Sequence, residues 1–571
     1  MDLFARLSQT KSEPWLLQGW FPGQSLELAG AFAQGGGLGV LRVPAFPGEG
    51  ELEAWIEKAK GAGLDLKGLR DRFREVVEQA KQRSVPFLAH GPEPSQRLLE
   101  YLRGCGIPRL AFVQDPEEAE RTAQEGADAL VVQAGNDLAE RLAEIHRRTG
   151  LPLLAEAEKD LARAKELLQI EGVKGLQLRS PLLLHAAASV ELPGFSKLAS
   201  IPSAVLGEGV KALPRLKIRN LDLPYPIIQG GMGVGVSWEG LAGAVARTGC
   251  VGIVSAIGTG NHFPDMVELR QGRPLGPENL NNSEALTRIV KEAIRRSEGK
   301  GAVGVNILCA IQGYERVVRA SVDAGAQLII SGAGLPLNLP GYVGDADVAL
   351  LPIVSSARAL GLICKTWQRK FNRLPDAVVL EGPESGGHQG FSAEQIADPA
   401  FSLEALLGPV IEERNKWGDF PVIVAGGVWD RADIDRFLAL GAGGVQIATR
   451  FIGTLECDAD ANFKEVILKA EKKDIQLVKS PVGMPGRAVV AGLQASMLDG
   501  TAPKIRCISD CVSPCEHGVG AREVGYCIAD RLEDARSGKK ATGLFFTGSN
   551  GWKLKELVSV RELVAELTQD F

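Results

Sequence analysis

Residues 226–255 read "PIIQGGMGVGVSWEGLAGAVARTGCVGIVS", a short apolar run, a glycine-rich turn, a helix-like segment and a second apolar run. Apolar runs of this length without polar alternation, separated by a helix, belong to a parallel sheet covered on both faces. A related stretch lies early in the chain. Residues 14–43 read "PWLLQGWFPGQSLELAGAFAQGGGLGVLRV", and "LAGAFAQGGGLGVL" matches "LAGAVARTGCVGIV" without a gap. Further pairs follow in the same order: "GADALVVQAGN" with "LPDAVVLEGPE", "LPLLAEAEKD" with "FPVIVAGGVWD", and "GVKGLQLRS" with "GAGGVQIAT". Any one pair is weak, but their shared order points to an internal duplication.

In the second copy eight strand-like segments alternate with helices: "PIIQG", "GIVS", "GVNIL", "QLIIS", "ALLPIVSS", "AVVLEG", "VIVAGG" and "GVQIAT". That pattern implies an α/β fold, an intact (β/α)8 TIM barrel. The first copy offers about seven such strands, the counterpart of "ALLPIVSS" being the one that is not evident. The expected plan is a degenerate TIM-like barrel over residues 1–195 and a connector rich in Pro, Gly and Ser over 196–215. An intact barrel over 216–500 and a cysteine-rich segment over 501–571 complete it.

At 571 residues, with 45% hydrophobic and 23% charged, the composition is that of a globular protein with several domains. A net charge of −6 gives no broad attraction to nucleic acid or anionic lipid. No apolar stretch has the length of a membrane span, and the start "MDLFARLSQTKSEPW" does not resemble a signal peptide. Cys105, Cys250, Cys309, Cys364 and Cys457 are scattered singly in apolar segments, as free thiols in a reducing cytoplasm would be. A small-molecule substrate is the expected partner; a homo-oligomer stays open.

Functional groups of such a barrel sit at the carboxyl ends of the strands, and phosphate sites follow the seventh and eighth. Those two ends are "AGG" with Gly426 and Gly427, and "AT" with Ala448 and Thr449. Backbone N–H groups there are suited to a phosphate. The sixth end, "ESGGHQG", presents His388 between glycines, where a side chain that titrates near neutrality can move a proton. A structural histidine is the competing reading.

These strand ends resemble the nitronate monooxygenase (2-nitropropane dioxygenase) family of FMN-dependent barrels, with "GGHQG", "AGG", "GVQIATRF" and "SPVGMPGRA" as the matching motifs. The resemblance implies FMN strongly and the substrate weakly. By position, Gln229, Gly230, Gly231 and Met232 would place their backbone against the isoalloxazine, and Asn306 would bond it. Gly426, Gly427, Ala448 and Thr449 would hold the phosphate above Gln446, while Glu381, Gly386 and Gly387 shape the active face. His388 would accept or donate the substrate proton. A lysine often found on the fifth strand of related flavin sites is absent from "ALLPIVSS", and Lys365 belongs to the following helix. In the first copy Glu156 falls where a phosphate would be received, so that domain is expected to be flavin-free.

Cys507, Cys511, Cys515 and Cys527 follow the intact barrel with spacing C-x3-C-x3-C-x11-C. Three bunched ligands and a distant fourth favour a four-cornered cluster over zinc, whose ligands come in pairs. The spacing is similar to the [4Fe–4S] segment of the FMN barrels of 2,4-dienoyl-CoA reductase and trimethylamine dehydrogenase, differing by one residue. A [4Fe–4S] cluster, zinc and redox-active or unliganded thiols all remain open. The expected function is thus an FMN-dependent oxidoreductase, coupled to a ferredoxin-like partner if the cluster is present. Its alternatives are an NAD(P)H-dependent quinone or enoyl (acyl-CoA or acyl-carrier-protein) reductase and a non-catalytic electron-transfer or scaffold subunit.

Overall fold

The computed structural model describes residues 15–18, 40–42, 63–66 and 73–178, apart from 84, 91–95, 104, 134–136 and 158–165. It also describes residues 212–568, apart from 264, 266–268, 271–272, 275–278, 503, 506, 508–510, 514 and 516–518. The connector expected before Leu213 and most of "QGWFPG" therefore lie outside the described residues. Contacts divide the chain into two units, Met1–Ala212 with Thr568–Phe571, and Leu213–Leu567.

The first unit is an eight-stranded sheet of β1 (Trp15–Gln18), β2 (Val40–Arg42), β3 (Gly63–Asp65), β4 (Leu88–His90), β5 (Arg109–Val113), β6 (Ala129–Val132), β7 (Leu153–Ala157) and β8 (Val173–Leu178). All ladders are parallel, in the order β1-β8-β7-β6-β5-β4-β3-β2. Among the described residues no ladder joins β1 to β2. The expected strand count of seven is corrected to eight. The strand thought missing is β5, which opens on a charge, Arg109, and so breaks the apolar run that betrays its neighbours. That guanidinium is buried, and its Nη2 donates to the Glu125 carbonyl at 2.7 Å, so the charge is carried inside without breaking the strand.

The second unit contains a closed parallel barrel. Its first four strands are β9 (Ile227–Gln229), β10 (Val251–Ser255), β11 (Ala302–Leu308) and β12 (Leu328–Gly332). They are followed by β13 (Ala349–Val354), β14 (Val378–Glu381), β16 (Val422–Ala425) and β17 (Gly444–Ile447), and β17 closes on β9. Ile228, Ile253, Ile330, Leu351, Val379 and Ile423 fill the interior and are fully buried. Each such side chain contributes about 1.5–3 kcal/mol by leaving water. Leu216, Ile218 and Leu223, from a short antiparallel pair before β9, join this cluster beside the strand starts. One mouth is thereby plugged, and ligand access is left to the carboxyl ends.

Over that open end lies a small antiparallel sheet. It joins β15 (Gly387–His388), inserted after the sixth barrel strand, to β19 (Pro485–Val489), which also pairs with β18 (Ile475–Lys479) and β20 (Phe545–Phe546). Residues 501–567 belong to the same unit as the barrel. Ser513 N–H donates to the Ala310 carbonyl at 2.8 Å, and Gln312 N–H to the Cys511 carbonyl at 3.2 Å, so the cysteine segment docks beyond β11. Lys365 lies on the helix Ala357–Phe371. Among the described residues no helix is long and apolar enough to cross a membrane.

Candidate active site

A cavity of about 380 Å³ opens at the carboxyl ends of the barrel strands. Gly230, Gly231 and Met232 after β9, Asn306 on β11, and Glu381, Gly386, Gly387 and His388 on and after β14 line it. So do Gly426 and Gly427 after β16, and Gln446, Ala448 and Thr449 on and after β17. Gly231 is required by proximity: a Cβ there would collide with Cβ of Asn306. Gly426 and Gly427 follow one another at φ of +97° and +85°, a left-handed turn that suits only glycine.

Gln229 ends β9, immediately before the cavity-lining Gly230. It is fully buried in the barrel wall and does not line the cavity. Its Oε1 accepts from the Ile253 N–H at 2.9 Å, and its Nε2 donates to the Gly230 carbonyl. The side chain ties β9 to β10, leaving it nothing to offer a ligand.

The chemistry of the cavity fits a flavin mononucleotide. Gln446 Oε1 is buried there without a hydrogen-bond partner among the described residues, an acceptor that a ligand donor would satisfy. No Lys or Arg lines the cavity among the described residues, so an anion there would meet uncharged donors, among them the glycine turn at β16 and the hydroxyl of Thr449. The tail closes this corner: Gly548 N–H donates to Thr449 Oγ1 at 2.9 Å, and Asn550 Nδ2 to the Gly427 carbonyl at 2.9 Å.

His388 sits where β15 crosses the cavity mouth. Its backbone pairs with Gly486, Phe546 meets the ring edge-on at 5.2 Å, and Nε2 lies 2.7 Å from Ser480 Oγ. Burial pushes its pKa down to about 4, since no charged partner stabilises the imidazolium. The carboxyl of Glu381 is pushed up to about 7 by burial, opposed only by a hydrogen bond from Ser385. Arg487 braces the loop between them, donating from Nη1 to the carbonyls of Pro383 at 2.6 Å and Ser385 at 2.7 Å. Ser480, Arg487, Phe546 and the cavity-lining Glu384 were not singled out from the sequence. The motif "SPVGMPGRA", which holds the first two, was the available signal.

Of the four late cysteines, Cys511 and Cys515 are buried, Cys527 is partly buried and Cys507 is exposed. Cys511 lines the cavity, and its thiol is pushed up to about 12, first by burial and then by the nearby thiols of Cys527, Cys507 and Cys515. Among the described residues, however, no three His, Cys, Asp or Glu side chains are grouped to hold a metal ion. The cysteine segment is described only in part, residues 508–510, 514 and 516–518 lying outside the described residues. Cys527 caps the helix Ile528–Arg536.

The family described as "Nitronate monooxygenase" matches residues 215–570, the span of the barrel, its overlying sheet and the tail. The chain belongs to the nitronate monooxygenase family. Among members of this oxidoreductase family, a probable nitronate monooxygenase of Bacillus subtilis is 26% identical over 284 residues, 48% of this chain and 78% of the relative. The nitronate monooxygenase of Pseudomonas aeruginosa is 28% identical over 307 residues, 51% and 83% of the respective chains. Among solved structures, FabK from Thermotoga maritima is 22% identical with a TM-score of 0.45, covering 61% of this chain and 93% of that one. Nitroalkane oxidase from Streptomyces ansochromogenes is 20% identical with a TM-score of 0.46, covering 61% and 97%. The nitronate monooxygenase family is generally flavin-dependent.

Proposed function

We propose that this chain is an FMN-dependent oxidoreductase in which His388 handles the substrate proton. The observation that carries the reading is the meeting, in one cavity, of the Gly426–Gly427 turn and Thr449 with an uncharged histidine. Bound FMN would supply hydride or single-electron chemistry. The chain's own residues do the rest. Gly426, Gly427, Ala448 and Thr449 hold the phosphate, Asn306 and Gln446 bond the ring system, and Gly230 and Gly231 let the backbone approach it. His388 stays neutral at physiological pH and takes a proton from the substrate, as removal of an acidic C–H before oxidation of a nitroalkane-type compound requires. No step is drawn through a metal.

A second substrate reading has its own support. Leu308, Leu335, Ile353, Met484, Ile528 and Leu532 make an apolar wall without a lining cation. Such a wall suits an uncharged quinone or unsaturated acyl compound reduced with NAD(P)H better than an anion. The singly scattered, buried Cys105, Cys250, Cys364 and Cys457 are compatible with a reducing, cytoplasmic setting.

The test begins with extraction of flavin from the purified protein. FMN is expected, and its absence after reconstitution would falsify the reading. Turnover of a neutral nitroalkane, whose C–H must be deprotonated, and of its preformed nitronate with oxygen is then compared with NADH-dependent reduction of a quinone or an enoyl thioester. His388→Ala should retain FMN and lose roughly 10²–10⁴-fold in turnover.

A further inference from the structure

Ser480 opens the turn between β18 and β19 and is buried. The turn itself is rigidly tied. Gly483 N–H donates to the Ser480 carbonyl at 3.0 Å, and Tyr526 Oη donates to the Lys479 carbonyl at 2.6 Å. On the other side, Gln389 N–H donates to the Pro485 carbonyl at 2.8 Å, locking the residue after His388 to the same turn. The imidazole is thus held by its backbone, by the edge of Phe546 and by one polar contact, from Nε2 to Ser480 Oγ. Nδ1 has no partner among the described residues and is not among the enclosed polar atoms that lack one, so it opens to the cavity.

Two nitrogens of one ring are therefore in different situations. A hydroxyl oxygen has two lone pairs, and Ser480 Oγ already receives the Val482 N–H at 3.4 Å. Its second lone pair can accept from Nε2–H, or its own O–H can donate to Nε2; only the first arrangement leaves Nδ1 free to accept a proton. We propose that Ser480 is a positioning residue that keeps the proton on Nε2 of His388, so that Nδ1 is the atom that takes the substrate proton. This rests on the proton-handling role given to His388 above. In the step, the substrate C–H bond breaks, its electron pair stays on carbon, and an N–H bond forms at Nδ1. The resulting imidazolium is bonded through Nε2–H to a neutral hydroxyl. A carboxylate in that place would stabilise the cation and make it a weaker proton donor in the return step. The serine orients without that cost.

The experiment compares Ser480→Ala and Ser480→Thr with unmodified protein in two ways. Turnover is measured with a neutral nitroalkane, whose C–H bond must be broken at the ring, and with its preformed alkyl nitronate, which needs no such step. Carbethoxylation of His388 by diethylpyrocarbonate is followed by peptide mass mapping on flavin-free protein. In Ser480→Ala the ring is released, so kcat with the nitroalkane should fall about 10–100-fold with KM little changed, while carbethoxylation speeds up severalfold. Ser480→Thr keeps the hydroxyl and should restore most of both. In a His388→Ala background, Ser480→Ala should cost nothing further. The proposal is overturned if Ser480→Ala leaves both readouts within twofold, or if Thr is as damaging as Ala. Should Ser480→Ala fail to fold, Ser480→Cys, a weak hydrogen-bond partner of similar size, takes its place. Unmodified protein without FMN would refute the flavin reading alone, because the carbethoxylation comparison needs no flavin.

Discussion

His388 and Glu381 line one cavity, and burial moves their pKa values in opposite directions, to about 4 and about 7. The histidine is protonated more readily in the unfolded chain, so stability is lost as pH falls from its unfolded value near 6.5 towards 4. The carboxyl is protonated more readily in the folded chain, so stability is lost as pH rises from 4.5 to 7. Each slope approaches about 1.4 kcal/mol per pH unit, and between 4.5 and 6.5 they oppose each other. Denaturant unfolding of flavin-free His388→Asn should reveal the bare carboxyl slope, stability declining from pH 4.5 to 7; an unchanged pH profile would count against it. Residue identity made His388 legible because it stands alone among glycines. Gln229 was read for its backbone alone, and the tie its side chain makes inside the wall leaves no trace in the motif.

Elements were easier to read than their attachments. Eight apolar runs announced the second barrel, and glycines marked its functional ends because backbone must pass close to a ligand there. The fifth strand of the first unit was hidden by Arg109, since periodicity registers hydrophobicity and not a charge that finds its partners after folding. The hairpin β18–β19 was quoted as a motif without a role, because its pairing with β15 spans about a hundred residues and leaves no local trace. Its importance is testable at Arg487. Arg487→Ala strands two buried carbonyls and should lower stability by about 3 kcal/mol. Amide exchange should accelerate over residues 383–389. Gly231→Ala, by contrast, should leave the fold intact and reduce FMN retention, read from the flavin-to-protein absorbance ratio, because its Cβ would displace Asn306.

Across the whole molecule, the two units share a strand register but not its chemistry. Glu156 pairs with Gln177 between β7 and β8, as Ala425 pairs with Gln446 between β16 and β17. A buried carboxylate thus occupies in the first unit the place that a methyl group holds beside the phosphate-type turn in the second. One FMN per chain is the expected stoichiometry, measured after saturation and gel filtration; two would refute the assignment. Ala425→Glu should transplant the obstacle and abolish retention. Sequence reading saw this asymmetry because it lies in residue types.

The bonds from Gly548 and Asn550 to Thr449 and Gly427 have a consequence in time. Biosynthesis runs at about 5–20 residues per second, so the strand ends of the barrel emerge on the order of ten seconds before the segment that closes their last corner. A nascent chain therefore has an unfinished pocket. The flavin can be captured for good only once translation has passed Asn550, and pulse-labelled chains stalled before that residue should emerge from the ribosome colourless.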